Sequence, residues 1–140
     1  MATIQRFEEL KSWQKARELA QEVYRLSKQG AFARDLDLRS QIRRASGSVM
    51  DKIAEGFERG GKGELIQFLS IAKGSAGEVR SPLYRALDQT YIDQSTFDLL
   101  YKMAEDISKL ITNFISYLNK AGIKGNKYQV SEDEVSYAPL

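Results

Sequence analysis

At 140 residues the chain suits one domain, whose folding buries roughly 65–70% of the unfolded surface and so supports a real core. It contains no cysteine and no histidine, which excludes disulfides, thiol nucleophiles, histidine acid–base pairs and zinc sites built on either ligand. Lys and Arg total 21 against 19 Asp and Glu, a net charge of +2 that identifies no partner.

The charge is unevenly spread: residues 1–80 hold 15 basic and 11 acidic groups, residues 81–140 hold 6 and 8. That tilt allows a basic face turned to nucleic acid or to an acidic partner, and equally an evenly solvated surface. The start, Met1-Ala2-Thr3-Ile4-Gln5-Arg6, has no apolar signal core, and no run approaches the roughly 18 apolar residues of a membrane span. With the missing cysteines, this fits a cytoplasmic protein without membrane contact.

Phe7, Leu10, Trp13, Ala16, Ala20, Val23, Tyr24 and Ser27 recur at steps of three or four, which predicts a helix over about 5–29 that Gly30 ends. In that phase Trp13 is a buried position. Asp35 or Asp37 can cap a second helix, whose stripe Leu38, Ile42, Ala45, Val49, Ile53 and Phe57 runs to the stop at Gly60-Gly61. A third runs from about Lys62 to Gln89 through Leu65, Phe68, Leu69, Ala72, Ala76, Val79, Leu83 and Leu87. Pro82 removes an amide donor within it, so a bend is expected near 78–82 rather than a break.

Ser95, with Asp98 three residues on, predicts the cap of a fourth helix through Leu99, Leu100, Met103, Ile107, Leu110, Ile111, Phe114, Ile115 and Leu118. Its stripe is broad enough for a fuller core, a subunit interface or both. Four long helices with short links make an all-α, up-and-down four-helix bundle over residues 1–122, with no clear strand. Residues 123–140, with Glu132-Asp133-Glu134, read as a flexible or interface-docking tail.

Arg39 and Arg43 are four apart and project from one side of the second helix, with Arg44, Lys52 and Arg59 further round or along it. These five are the candidates for contact with phosphate oxygens. The alternative is an ordinary solvated face in which Asp35, Gln41, Asp51 and Glu55 pair with them; Glu55 and Arg59 have the spacing of a helical ion pair. Gly56, within or at the end of that helix, costs about 1 kcal/mol relative to alanine, which points to close approach by a second backbone. Gly74 and Ser75-Ala76-Gly77 form a similar small-residue patch. With Trp13, Phe57 and Phe68, these are the helix-packing or interface candidates.

Catalytic and cofactor signatures fail in turn. Gly60-Gly61-Lys62-Gly63-Glu64 lacks the spacing, the following Ser or Thr and the preceding strand of a phosphate loop. Glu55 with Glu58, and Glu105 with Asp106, lack the Glu-x-x-His pattern of a di-iron bundle. The expectation is a protein without catalytic, metal or cofactor site.

As a set, in this order, Phe7-Glu8-Glu9-Leu10-Lys11-Ser12-Trp13-Gln14-Lys15-Ala16, Leu38-Arg39-Ser40-Gln41-Ile42-Arg43-Arg44-Ala45, Ile53-Ala54-Glu55-Gly56-Phe57 with Arg59, and Phe68-Leu69-Ser70-Ile71-Ala72-Lys73-Gly74-Ser75 are specific. They resemble the four-helix-bundle proteins encoded in intervening sequences of bacterial large-subunit ribosomal RNA genes, a family that includes the accessory variability proteins of diversity-generating retroelements. The resemblance spans roughly Phe7 to Leu118. It implies a left-handed bundle assembled as a ring-like homopentamer. In the retroelement branch it also implies a basic surface for RNA or DNA and a reverse-transcriptase partner. Two departures stand out. Ser48-Val49-Met50-Asp51-Lys52 replaces a proline-bearing stretch of many members, so the second helix should be less kinked. Ala76-Gly77-Glu78-Val79-Arg80-Ser81-Pro82 alters the third helix surface and with it partner specificity.

The sequence thus supports a noncatalytic oligomeric scaffold with electrostatic nucleic-acid binding. Its alternative is a structural or protein-binding oligomer that serves a polymerase-type partner without touching nucleic acid.

Overall fold

The computed structural model describes residues 2–120 and 128–130. The three-and-four spacing of apolar residues produces four long helices: α1 (Lys11–Ser27), α3 (Leu36–Glu58), α4 (Lys62–Asp88) and α5 (Gln94–Lys120). A short helix, α2 (Gly30–Arg34), sits between the first two. Each long helix packs on two others, most extensively α3 on α4, then α4 on α5, α1 on α3 and α1 on α5. Across α3 and α4 the partners run in opposite directions, Gly56 to Phe68, Ser48 to Ser75 and Gln41 to Arg85, so the two helices are antiparallel.

The buried stripe of each helix is the one its sequence period dictates. Leu19, Ile42, Ile53, Leu65, Leu69, Leu83, Leu100, Ile107, Ile111 and Phe114 are all essentially inaccessible, and each such side chain contributes about 1.5–3 kcal/mol by leaving water. Pro82 is buried inside a single continuous α4.

Several local readings are corrected. The expected first helix is divided: Phe7–Glu9 form a 3-10 turn, and Leu10 is the extended residue before α1. Leu10, Ala16, Ala20, Val23 and Ser27 are buried as the period predicts, but in the first turn the fully buried position is Ser12 and Trp13 is only partly buried, edge-on to Phe7 at 5.2 Å. Tyr24 is 45% exposed, whereas Leu19 is core. Two three-residue strands also form: β1 (Ala2–Ile4) pairs antiparallel with β2 (Tyr128–Val130). No local pattern announced them, because the pairing joins opposite ends of the chain. The rest of the expected tail lies outside the described residues.

Asp35 caps α3 as expected, accepting from the Leu38 amide at 3.2 Å. Its second oxygen accepts from the Tyr91 hydroxyl at 2.9 Å, which ties the start of α3 to the α4–α5 link. The cap of α5 is Asp93 rather than Ser95: its carboxylate accepts from the Thr96 amide at 2.8 Å and from the Ser95 hydroxyl at 3.2 Å. A carboxylate one residue before the first helical position reaches that amide better than a hydroxyl one turn position later.

α4 ends in a Schellman arrangement, with the Tyr91 amide on Ala86 O and the Thr90 amide on Leu87 O, both at 2.9 Å. It requires a left-handed residue, and Thr90 supplies it at φ 60°. A β-branched side chain is disfavoured there. Thr90→Gly is therefore expected to stabilise the fold by about 1 kcal/mol, read as a raised urea midpoint at unchanged slope.

A Cβ placed on Gly56 would stand 2.6 Å from the Phe68 Cβ, a clash between two helices rather than with a flexible tip. Gly56→Ala is expected to destabilise by about 1–3 kcal/mol, the cost of forcing extra atoms into a packed contact. A melting temperature equal to wild type would refute this close-approach role.

Candidate nucleic-acid interface

Four of the five basic candidates lie on α3 and the fifth, Arg59, is the residue that follows its last turn, and the helix distributes them. At 100° per residue, Lys52 and Arg59 lie roughly 160° around the axis from Arg39 and Arg43, and Arg44 projects between the two pairs. Arg39 and Arg59 are also about 30 Å apart along the helix. The five are therefore two flanks and a midpoint, not one patch.

On the first flank, the Arg39 Nη1 donates to the Ala33 carbonyl at 2.8 Å and so satisfies the end of α2. The Arg43 Nε donates to the Ser27 hydroxyl at 2.7 Å, and its guanidinium stands 4.7 Å over the Tyr24 ring. Ser27 donates in turn to the Tyr24 carbonyl at 3.4 Å, so the last turn of α1 holds the arginine in place. Arg44 is exposed, with a long contact to Ser40 O at 3.4 Å. It borders a shallow cleft that Glu78 also lines, without reaching ion-pair distance of it. Among the described residues, Arg39, Arg43 and Arg44 have no carboxylate partner; the Asp35 pairing that the sequence allowed is not formed, because that carboxylate is taken by Leu38 and Tyr91.

The second flank is neutralised. Glu55 pairs with Lys52 and with Arg59, each at 3.3 Å, and Arg59 lies 3.7 Å from Glu64. Hydrogen bonds from Lys52 and then Arg59 hold the Glu55 carboxyl below the usual glutamate range. Both cations also lean on the Phe68 ring, Arg59 at 5.1 Å and Lys52 at 5.8 Å. Phe68 is consequently half-buried, while Phe57 is core.

Of the small residues, Gly56 is buried in the α3/α4 crossing and Ser75 is 7% exposed, its hydroxyl 2.9 Å from that of Ser48. Gly74 is exposed with open space around its missing Cβ, so no crossing forms on it among the described residues. Tyr24 could serve either as a stacking ring or as a core residue on the sequence alone, and its spacing favoured the core; the structure leaves it half-exposed under Arg43.

Among the described residues, no group of three or more acidic residues could hold a metal ion, and no helix is long and apolar enough to cross a membrane.

The arrangement defines a small all-α domain of four substantial helices. The chain belongs to the 23S rRNA-intervening sequence protein family, whose model matches residues 8–113. A protein of unknown function from the S23 ribosomal protein family of Bacteroides thetaiotaomicron has a similar solved structure. Its TM-score is 0.68 at 21% identity, over 74% of this chain and 97% of that one, a likeness that establishes the shared fold. No curated protein matches the chain.

The Glu55 pairs contribute stability above the ordinary glutamate value, near 4.3, and that contribution is lost as pH falls through the lowered value. In a carboxyl-carbon NMR titration Glu55 is expected to titrate below a model-peptide glutamate, and the Lys52→Gln/Arg59→Gln double variant to titrate higher. An unmoved midpoint would mean that the pairs are not populated in solution.

Proposed function

We propose that this chain is a noncatalytic scaffold that assembles with copies of itself and holds RNA or DNA through phosphate contacts to the first half of α3. The observation that carries the reading is that Arg39, Arg43 and Arg44 have no carboxylate partner among the described residues, with Arg43 pre-oriented on a half-exposed tyrosine. An un-neutralised, positioned guanidinium releases counterions when it meets a phosphate, whereas Lys52 and Arg59 must first give up Glu55. The exposed Tyr24 face beside Arg43 adds a surface on which an unpaired base can stack.

The assembly in this reading is the one the sequence resemblance implies: left-handed bundles of residues 1–122 in a homopentameric ring, with 123–140 as a docking segment. Five copies of a weak patch act together through effective concentration. Kinship with the retroelement accessory proteins, and a polymerase-type partner, belong to the same proposal. The protein-binding alternative draws on Leu36, Ile71 and Leu99, which are 61%, 44% and 55% exposed and lie outside the core.

The test is a titration of a short structured RNA at several salt concentrations, alongside native mass by light scattering. Binding is expected to weaken linearly with the logarithm of salt, and Arg43→Gln and Arg44→Gln each to reduce that slope by about 0.7–0.9. Lys52→Gln and Arg59→Gln serve as folded controls with smaller effects. Folded arginine variants that bind as wild type would transfer the role to a protein partner. A native mass near that of one 15.9 kDa chain would overturn the ring.

A further inference from the structure

The four seams of the bundle are not closed equally, and that of α1 on α5 is the least extensive. A cleft of about 330 Å³ lies along it, lined by Lys11, Lys15 and Glu18 of α1 and by Asp106 and Lys109 of α5, with Met103 and Leu110 as its apolar part. Both apolar residues belong to the stripe of α5, yet the described helices leave them half-buried. The charge is unbalanced: three ammonium groups stand against two carboxylates, and Asp106 is also 3.4 Å from Lys102. Lys15 is 3.9 Å from Glu18, an exposed pair worth little and readily exchanged. From Lys11 to Glu18 the cleft follows two turns of helix, roughly 10 Å, which is the length of about three extended residues.

The chain itself carries a segment of that length and the opposite sign. Ser131-Glu132-Asp133-Glu134-Val135-Ser136-Tyr137 follows β2 directly, with three carboxylates in a row, apolar residues just after them, and no lysine or arginine from Tyr128 to Leu140. The strand pair brings this segment to the end of the molecule where the cleft lies. Val130 pairs with Ala2, the Gln5 amide that follows β1 donates to Glu9 at 3.1 Å, and α1 begins at Lys11. β2 also packs against α5, the other wall of the cleft. The path from Ala2 to Lys11 is at most roughly 30 Å, shortened by the 3-10 turn, and residues 131–140 can extend over roughly 33 Å. A short tether gives an effective concentration on the order of millimolar. Ion pairs that are each worth under about 1 kcal/mol then suffice together, and the chain's own segment outcompetes that of a second copy at micromolar concentration.

We propose that the α1/α5 cleft is the docking site of the chain's own residues 131–137, with Glu132, Asp133 and Glu134 on the cleft lysines and Val135 against Met103 and Leu110. This names a surface for the docking segment and does not rest on nucleic-acid contact at α3.

The experiment places a nitroxide on the full chain at Ser136→Cys; no native cysteine competes for the label. In amide NMR spectra, Lys15, Lys109 and Asn113 are expected to lose more than half of their intensity relative to the reduced label. Gly61 and Gly63, at the same end of the bundle on its α3–α4 side, are expected to keep theirs. The neutralised segment, Glu132→Gln/Asp133→Asn/Glu134→Gln, should restore the cleft signals, as should Lys15→Gln/Lys109→Gln and a rise to 1 M salt, where charges are screened within about 3 Å. Equal losses at the cleft and at Gly61, no loss at the cleft, or a loss unchanged in the neutralised segment each overturn the proposal. A loss that persists in a mixture of isotope-labelled chains with separate spin-labelled chains overturns it as well, by making a second copy the occupant. Should the lysine variant fail to fold by circular dichroism, the neutralised segment decides alone. Arg43→Gln is expected to leave the cleft losses unchanged, so failure here and failure of the α3 interface are read separately.

Discussion

At Gly56 α3 lies so close to α4 that even a methyl group would collide with the Phe68 backbone-proximal carbon. That contact sets the register of the most extensive helix pair. Once Gly56 lies against Phe68, antiparallel packing brings Ser48 to Ser75 and Gln41 to Arg85, further along both helices. The glycine costs helix stability at its own position and is offset by the dispersion and burial gained along the whole seam. It also leaves Phe68 at the rim, where its ring carries Lys52 and Arg59.

This geometry divides the basic residues of α3 by what each can reach. Lys52 and Arg59 meet Glu55 of their own helix, and α4 adds Glu64 to Arg59 and the Phe68 ring to both. Toward α1 and α2 lie a hydroxyl, a carbonyl and a tyrosine ring, which orient Arg39 and Arg43 without cancelling them. Exposed ion pairs are worth little to stability. Their consequence here is electrostatic: one end of α3 keeps its field and the other does not.

The four long helices were legible because each is amphipathic over many turns, so an error of one residue in phase changes little. Asp35 as a cap, Gly60 as a stop and the continuation of α4 through Pro82 were legible for the same local reasons. The misread elements are those where phase or partner is set at a distance. The stripe of α1 was read in phase at Ala16, Ala20, Val23 and Ser27, but its edges were not: Trp13 and Tyr24 lie at the rim and Leu19 in the core, a difference set by which side α3 and α5 cover. The β1–β2 pairing joins residues from the two ends of the chain, and no window of sequence contains both.

By itself, then, the sequence determined the helical class, the absence of histidine and cysteine chemistry, the position of the core stripes and the family, since these depend on residue type and near-neighbour period. Only the tertiary structure decided what holds the arginines at the other end: Lys52 and Arg59 meet Glu55 of their own helix, as the local spacing offered, whereas Arg39 and Arg43 are held by the Ala33 carbonyl, the Ser27 hydroxyl and the Tyr24 ring of α2 and α1. The same holds for Gly56 and Gly74, identical residues in helices, one pressed against a neighbour and one open to solvent. Coulombic and steric interactions fall off over a few ångströms, and which residues come that close is a property of the helix crossings rather than of any one segment.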